Sequence, residues 1–347
     1  VRVGEGVNVL EGIAEVLDAS AELKGEVPQI SVVTGKLFGS FALLASGCDY
    51  NFMFKESVAA YASPLVISAA SGKKLTEEEV GGIQASEFNS LATFEVSDIT
   101  EVKEKISDIL SVLPAYSNAV DDTDDDFNRT TQSLNDKICP KCLIKAVFDN
   151  GEFLETNKDF CGEVTTGIGR IGGMSVAAII FGGDEKGVEL NFANVQKTTY
   201  FATYAAENGL PLVTFVNTLG IRNDLKENNS TILKEINELI IALRANERLA
   251  VVYGKAIGLG YTLFASKGLG VSYSYAFANA KIGLFDGAVS AAAFGEVKEE
   301  KFPELEERYS EENADPINAA RNGYIDNIIE PQFVRAYVIS ALQTIVR

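Results

Sequence analysis

Residues 251–270 read VVYGKAIGLGYTLFASKGLG, and this stretch decides how the rest of the chain is interpreted. It starts as an apolar, strand-like run, passes through glycines at 254, 258 and 260, and continues as a helix-like run of small and apolar residues. A strand that ends in glycines before a helix leaves backbone N–H groups unpaired and pointing into one space. Such a loop binds an oxyanion or a phosphate without any charged side chain.

The same pattern occurs a second time in the chain. Residues 32–41 read VVTGKLFGSF and share Val-Val-x-Gly-Lys-x-x-Gly in register with residues 251–260. Ala-Ser follows each copy, at 45–46 and at 265–266. Because an internal repeat fixes architecture, we predict two copies of one α/β domain, each carrying a backbone anion hole. The alternative is a coincidence of small residues on buried strands.

Length and charge limit the classes of protein that fit. The 347 residues suit two domains of ordinary size, and no apolar run reaches the roughly 18–20 residues of a membrane helix. The net charge of −19 argues against a nucleic-acid partner, which needs clustered Lys and Arg. The sequence begins at Val1 without an initiator methionine, so it says little about a targeting signal.

Histidine is absent, and this removes Ser-His and Cys-His catalysis and His-ligated metals. Cys139-Pro-Lys-Cys142 has CxxC spacing, but no second pair completes a zinc site. We therefore predict structural thiols, no metal, and reduced cysteines that fit a cytoplasmic location. The acidic run DDTDDD at 121–126 is interpreted as solvated and not as a metal site.

Strands and helices alternate through the second half of the chain, which indicates an α/β fold. We predict a first domain at residues 1–114, an acidic linker at 115–144 and a second domain at 145–347. The GxGxxG at 167–172 runs straight into a β-like segment. It is therefore predicted to be a hairpin with a glycine turn and not a dinucleotide-binding loop.

Few side chains remain for acid–base chemistry, so the two backbone holes are the main catalytic candidates. Aimed N–H donors stabilise the oxygen of an enolate, which forms when a carbanion develops beside a carbonyl. A second hole implies a second carbonyl that also gains negative charge. The pattern therefore favours a reaction through enolates.

The sequence resembles the carboxyltransferase subunits of biotin-dependent acyl-CoA carboxylases and decarboxylases, in the crotonase superfamily. The resemblance covers nearly the whole chain, and the last of its segments, A-x-R-x-G-Y-I-D-x-I-I-x-P-x-x-x-R, is the most specific. The segments that carry it are EGVNVLEGIAEV with GEVPQISVVTGKLFGSFAL, GEFLE with TTGIGRIGGMSVAAIIF, GLPLVTFVNTLG with LAVVYGKAIGLGY, ASKGLG and YAFANAKIGLFD, and INAARNGYIDNIIEPQFVRAYVISAL.

The resemblance implies two crotonase-like domains, the first truncated at its N-terminus, and a role for each hole. The backbone at Gly39 and Ser40 would hold the thioester oxygen of a short acyl-CoA. The backbone at Leu259 and Gly260 would hold the ureido oxygen of biotin. A carboxyl group then moves between carboxybiotin and the α-carbon of the acyl-CoA through enolates. The base is the cofactor itself, in agreement with the lack of histidine.

Other residues beside the holes are candidates for substrate binding. Lys36 and Lys255 would contact CoA phosphates or only cover apolar surface with their stems. Thr262 stands where relatives set the size of the acyl group, and Asp286 is interpreted as a polar lining residue and not as a catalytic acid. Further candidates around the holes are Phe41, Gly258 and Tyr261. The bulk of Phe41 and Leu259 would narrow the two pockets.

The resemblance also implies partners. Biotin arrives on a biotin carboxyl carrier protein, and the complex includes a biotin carboxylase or a membrane decarboxylase subunit. The chain would form a homodimer that can stack into a hexamer, a trimer of dimers. It would work in the cytoplasm, and it would associate with a membrane only through a partner subunit.

Two other functions stay open at this stage. One is a catalytically degenerate subunit that scaffolds the complex, which the altered holes motivate. The other is an enoyl-CoA hydratase or isomerase of the same fold, a reaction for which Asp286 alone supplies too few acid–base groups. Acyl-CoA binding without biotin dependence would favour the hydratase, and assembly without acyl-CoA binding would favour the scaffold.

Overall fold

The computed structural model describes residues 4, 7–82, 91–114, 120–183, 186–225, 230–286, 308 and 313–346. The chain divides into two compact units. The first comprises Val1–Leu110 and Thr156–Phe160, and the second comprises Ser111–Glu155 and Cys161–Arg347. None of the described helices combines the length and the apolar character that crossing a bilayer requires. The charged helix suggested by residues 296–313 lies almost entirely outside the described residues.

The first unit is built on short parallel strands. Its strands are β1 (Ile30–Val33), β2 (Lys36–Phe38), β3 (Tyr50–Phe54), β4 (Val58–Ala60) and β5 (Phe94–Val96). Its helices are α1 (Val7–Glu22), α2 (Ser40–Gly47), α3 (Pro64–Ser71), α4 (Glu77–Gly81) and α5 (Ile99–Val112). One sheet has the order β1-β3-β5, and β2 pairs with β4 in a separate ribbon. All of these pairings are parallel.

The second unit contains a large mixed sheet. Its further strands are β6 (Phe153–Thr156), β7 (Val164–Ile171), β8 (Met174–Phe181), β9 (Val188–Leu190), β10 (Leu212–Ile221), β11 (Arg248–Ile257), β12 (Val271–Phe277), β13 (Lys281–Gly283) and β14 (Asn327–Ile329). Its further described helices are α6 (Pro140–Val147), α7 (Phe192–Glu207), α8 (Ser230–Arg244), α9 (Leu259–Phe264), α10 (Pro316–Arg321) and α11 (Val334–Ile345).

The order of this sheet is β14-β12-β11-β10-β8-β7-β6, with β13 on β11 and β9 on β10. Side chains alternate between its two faces, so that Ala177 and Ile179 lie in one apolar core and Ala178 and Ile180 in the other. Strands buried on both faces read as continuous apolar runs, as β8 does. Helices α7, α8 and α9 contribute to the first core, and α6 and α11 to the second.

The predicted hairpin at the GxGxxG motif is confirmed. Strands β7 and β8 pair antiparallel, with Ile171 opposite Met174. The two turn residues are Gly172 and Gly173, at φ of 61° and 77°. A two-residue turn of this kind needs positive φ at both positions, which glycine adopts readily. Their N–H groups donate to the Asp149 carboxylate, each at 2.8 Å.

The segment predicted as an acidic linker at 115–144 differs from that expectation in its described part. Residues 111–155 belong to the second unit. Asp125 accepts a hydrogen bond from Arg129 at 2.7 Å and another from the Asn150 N–H at 2.9 Å, and its pKa is lowered, chiefly by Arg129. The buried Arg335 lies 3.5 Å from the same carboxylate. The segment is therefore docked through Asp125, whereas the other aspartates of the run at 121–126 are exposed, in line with the solvated run that we predicted.

The CxxC motif also differs from its prediction. Cys139 and Cys142 form a disulfide and are not free thiols. Cys139 caps α6, which begins at the next residue, so three residues of helix bring the two sulfur atoms together. Sequence spacing alone left the oxidation state open. Cys48 and Cys161 are free thiols, and burial raises the pKa of both.

Candidate active site

The candidate site of the second unit is the junction between β11 and α9. The sequence suggested a glycine loop from residue 254, but the strand continues through Ile257, which pairs with Gly283 of β13. Gly258 alone makes the turn, at φ 53° and ψ −121°, and its N–H donates to the Gly283 carbonyl at 2.9 Å. This backbone conformation strongly favours glycine. The turn therefore takes a single residue.

The first turn of α9 presents the two predicted donors. The Thr262 N–H closes that turn on the Gly258 carbonyl at 3.2 Å. The N–H groups of Leu259 and Gly260 come before this bond, so they have no acceptor within the helix. They are neighbours in the chain and lie at the same helix end. This end can donate to an oxygen that carries negative charge.

Gly220 is a residue of this junction that sequence reasoning did not select. A Cβ placed on it would lie 3.4 Å from the nitrogen of Gly260 and 3.5 Å from that of Leu259. Gly260 is confined in turn, because a Cβ there would lie 2.7 Å from Cγ2 of Thr218. Strand β10 thus passes directly against the donors. The absence of a side chain at Gly220 leaves the space beside both N–H groups open.

Asn217 braces the strand that leads to the junction. The pairing of β10 with β11 is irregular between Val216 and Thr218, so one ladder position is interrupted there. The Asn217 side chain replaces the missing bonds, because Oδ1 accepts the Lys255 N–H at 2.9 Å and Nδ2 donates to the Gly182 carbonyl at 3.0 Å. A Cβ on Gly254 would lie 2.3 Å from Oδ1 of Asn217. Gly254 therefore makes room for this amide and does not form a loop.

A cavity of about 580 Å³ opens beside the donors. Its lining includes Leu259, Thr262 and Phe285 together with the asparagines 313, 318 and 322. Most of the lining is apolar, and the amides supply neutral polar groups. A largely apolar cavity with a few amide groups suits a small, uncharged group better than a phosphate.

Lys255 and Asp286 form an ion pair at the edge of this region. Nζ of Lys255 lies 3.1 Å and 3.3 Å from the two carboxylate oxygens. The two side chains are 24% and 34% exposed, so the pair is partly shielded from water. Asp286 follows directly on Gly283–Phe285, which line the cavity. The ion pair therefore joins the cavity wall to β11, the strand that leads to the donors.

Arg248 fixes the opposite end of α9. Its guanidinium is 1% exposed and donates to the carbonyls of Leu269 and Leu263, the latter in the last turn of α9. Burial, with a contribution from Arg244, lowers the pKa of Arg248 to about 10. The group is still protonated at neutral pH. A cation at the carboxyl end of a helix stabilises its last carbonyls, so Arg248 anchors the helix that carries the donors.

The candidate site of the first unit is built in the same way. Gly39 follows β2 at φ 76° and ψ −142°, and its N–H donates to the Ala60 carbonyl at 3.1 Å. Helix α2 begins at Ser40, and the Ala42 N–H closes its first turn on Gly39 at 2.9 Å. The N–H groups of Ser40 and Phe41 have no acceptor within the helix. Both junctions therefore have the same backbone construction.

The lysine of each repeat is also paired. Lys36 lies 2.8 Å from Glu77, and both side chains are well exposed. Phe41 and Leu259 are 46% and 43% exposed, so neither side chain is packed into its own unit. The predicted site residues thus gather at two junctions. Asp286 is paired with Lys255, for which we had considered CoA phosphates as the partner; the lining role of Asp286 stays a prediction.

The junctions contain backbone donors and few titratable groups. Burial raises the pKa of Tyr261, so its hydroxyl stays protonated at neutral pH. Within the described parts of the chain, no three Cys, Asp or Glu side chains are grouped to hold a metal ion. The arrangement can therefore stabilise an oxyanion by hydrogen bonds from a fixed backbone, and any proton that moves needs an acceptor from the substrates.

Comparison with known proteins agrees with this chemistry. The propionyl-CoA carboxylase carboxyltransferase subunit of Haloferax mediterranei is 28% identical over 99% of this chain and 70% of its own length. The methylmalonyl-CoA decarboxylase subunit alpha of Veillonella parvula is 28% identical over 98% of this chain and 70% of its own length. The solved structure of the transcarboxylase 12S hexamer, with methylmalonyl-CoA bound, matches with a TM-score of 0.91 at 23% identity, over 99% of this chain and 70% of that one.

The family model of the carboxyl transferase domain matches residues 1–347, and the chain belongs to this family. The predicted class is thereby confirmed: the chain is a carboxyltransferase of the biotin-dependent acyl-CoA carboxylases. The mixed α/β fold expected from the sequence is confirmed as well, since it matches the transcarboxylase 12S structure. The roles of individual residues are a separate question.

Proposed function

We propose that this chain moves a carboxyl group between carboxybiotin and the α-carbon of a short acyl-CoA. The N–H groups of Ser40 and Phe41 would hold the thioester oxygen, since the Gly39 N–H, predicted as a donor, is used by the Ala60 carbonyl. The N–H groups of Leu259 and Gly260 would hold the ureido oxygen. The observation that supports this is the repeated construction of the junction. In each copy a glycine with positive φ ends the strand, donates its N–H to the neighbouring strand, and is followed at once by a helix.

The residues around the second junction fit biotin. The ureido ring is uncharged and offers one carbonyl oxygen, which suits two adjacent N–H donors beside a largely apolar cavity of about 580 Å³. The amides of Asn318 and Asn322 offer neutral polar contacts at the same cavity. When bound, biotin would supply the carboxyl group and the base. Leu259 and Gly260 would hold it by their backbone.

The protein's own contribution is electrostatic. The donors at Ser40 and Leu259 stabilise negative charge on the two carbonyl oxygens as it develops. The helices and strands fix these donors before substrate binds, so little reorganisation is needed in the transition state. Arg248 and Asn217 keep the second set in place through α9 and β11. No side chain at either junction has to change its protonation state.

The acyl group is proposed to be a three-carbon unit. The names of the relatives above include propionyl-CoA and methylmalonyl-CoA as substrates. We propose that Thr262, on the wall of the cavity that holds biotin, limits the size of the acyl group that meets biotin there. The direction of the reaction depends on the partner, carboxylation with a biotin carboxylase and decarboxylation with a membrane subunit.

We also propose two crotonase-like domains per chain and one active site from two chains. We propose that the first of these domains ends near residue 114, and that the described part of residues 115–144 goes with the second. The chain would form a homodimer and then a trimer of dimers, comparable with the 12S hexamer. Biotin would arrive on a carrier protein. The cytoplasmic location stays a prediction.

Two alternatives are weaker. A hydratase needs a free acid or base, and the best candidate, Asp286, is engaged by Lys255. A scaffold without turnover would be compatible with the bulky Phe41 and Leu259 at the junctions, but backbone donors persist beside any side chain except proline.

The test supplies the folded chain with free biotin and, in turn, with malonyl-CoA, methylmalonyl-CoA and glutaconyl-CoA. We expect loss of carboxylate from methylmalonyl-CoA that depends strictly on biotin. Biotin-independent turnover of an enoyl-CoA would favour the hydratase. Absence of any turnover in a folded, assembled preparation that still binds acyl-CoA would contradict catalytic competence, and assembly without acyl-CoA binding would favour the scaffold.

A further inference from the structure

The Cys139–Cys142 disulfide lies outside both junctions and has no part in carboxyl transfer. It closes a ring of four residues at the amino end of α6, where Cys139 is the cap and Pro140 the first helical residue. We propose that Cys139 and Cys142 are a redox-active pair that undergoes thiol–disulfide exchange with an external dithiol. This site is independent of the proposed function, so either can fail without the other.

The bond is not needed to hold α6 in place. The helix is anchored by its buried side chains Leu143, Ala146 and Val147, which lie in the second apolar core. Asp149, just beyond the helix, is bound to Arg335 at 2.7 Å. A disulfide stabilises most when it closes a long loop, and this ring is among the shortest that can form. Structural stabilisation is therefore a weak reason for the bond.

The pair lies at a helix N-terminus, in a stretch rich in lysine. Sγ of Cys139 accepts the Cys142 N–H at 3.1 Å, as the oxygen of an Asp cap would. Lys137, Lys141 and Lys145 are exposed on the same short stretch, against one aspartate at 136. Thiolates form most readily at helix N-termini and beside lysines. The reduced protein would thus keep its helix cap, with a thiolate in place of a bonded sulfur.

Both oxidation states therefore fit the same backbone, and the sulfur atoms can be reached. The side chains of Cys139 and Cys142 are half-buried; Cys142 packs against the second apolar core, and Cys139, at the cap position, does not. Cys48 and Cys161 are half-buried too, but burial raises the pKa of both, and neither lies beside a second cysteine at a helix cap. A redox-active thiol needs both thiolate character and access.

The exchange is a two-electron step. A thiolate of the external dithiol attacks one sulfur of the pair, the S–S bond breaks, and the other cysteine leaves as a thiolate. The second thiol of the reagent then attacks the mixed disulfide and releases the first cysteine. Two protons from the dithiol end on the protein thiols or in solvent, and the reagent becomes a disulfide. A disulfide of the same class reverses the reaction.

The experiment equilibrates the folded full chain with dithiothreitol and its cyclic disulfide at a series of ratios. Acid quenching, alkylation and peptide mass spectrometry then count the free thiols. We expect a reversible gain of two alkylated cysteines, both on the peptide that holds residues 139 and 142, without unfolding. A pair that stays bonded until denaturant is added, or one that stays reduced at every ratio, would overturn the proposal.

A second measurement tests the thiolate. In the reduced, folded protein, iodoacetamide at pH 7 should modify Cys139 at least about 10-fold faster than Cys48 or Cys161. Equal rates would count against a stabilised thiolate. The matched control is Cys139→Asp, which keeps a capping oxygen for α6 and removes the redox pair. This variant should fold like the parent and show no two-thiol step, and a step that persisted in it would assign the exchange to other cysteines.

Discussion

Leu259 acts in this account through its backbone N–H and not through its side chain. Leu259→Pro removes that donor, while proline is tolerated at the first position of a helix. We expect kcat to fall about 10²- to 10³-fold, the usual cost of one oxyanion donor. The matched control is Leu259→Ala, which keeps the N–H and should retain kcat within a few-fold. Equal losses in the two variants would show that the side chain and not the donor matters.

A substitution at Gly220, on the neighbouring strand β10, tests the role of the same two N–H donors. Its φ is 82°, and Gly220→Ala would add a Cβ beside the two donor nitrogens. We expect a loss of stability above the roughly 1 kcal/mol of a strained backbone, because the Cβ would also lie 2.9 Å from the Ile257 carbonyl oxygen, and a much larger relative loss of turnover. Gly209→Ala is the control, because its φ is 62° and a Cβ there meets no atom within 4 Å. The midpoint of urea unfolding should shift less for Gly209→Ala. Turnover is therefore compared where both variants are fully folded, and there only Gly220→Ala should lose it. Parallel losses of turnover would contradict the steric role.

At the residue scale, local pattern predicted part of the site. Gly39 and Gly258 were identified because each lies between an apolar, strand-like run and a helix-like run, a pattern that is visible within ten residues of sequence. Gly220 and Asn217 were not identified as parts of the site, since their contacts join strands that are distant in sequence. The pairing of Cys139 with Cys142 depends on a helix cap, and spacing alone does not give an oxidation state.

At the element scale, the alternation of strands and helices predicted the mixed fold, and the hairpin at 167–172 followed from its glycines. The expected loop from residue 254 was wrong, because Gly254 lies inside β11 opposite the Asn217 side chain. A glycine in a strand can mark close approach of another group as well as a turn. The docking of the acidic segment was missed because its partners Arg335 and Asn150 follow later in the sequence.

The pair of Lys255 and Asp286 connects β11 to the cavity wall. Lys255→Asp places two carboxylates together, and we expect the KM for biotin to rise about 3- to 5-fold, as fits the modest strength of a partly exposed ion pair. Adding Asp286→Lys should bring the KM for biotin most of the way back to the parent value, because it rebuilds the ion pair with the charges exchanged. The same swap at Lys36 and Glu77 should change the KM for acyl-CoA instead. Failure of the reversed pair to rescue would contradict the proposed connection.

At the scale of the whole molecule, the proposal places one junction from each of two chains in every active site. Ser40→Pro and Leu259→Pro would then be inactive alone and complement each other in mixed dimers. After mixing under conditions that exchange subunits, activity should recover to about a quarter of the parent value, because half of the dimers are mixed and each holds one intact site. Lack of recovery, with mixed dimers shown to form, would mean that each chain completes its own site.

The central claim is that this protein passes a carboxyl group between an acyl-CoA and biotin. The most direct measurement uses methylmalonyl-CoA labelled with ¹³C in its free carboxylate, together with free biotin and the folded chain. We expect the label to appear on biotin as carboxybiotin and propionyl-CoA to form in equal amount. Loss of the label as CO₂ at the same rate with and without biotin would contradict it.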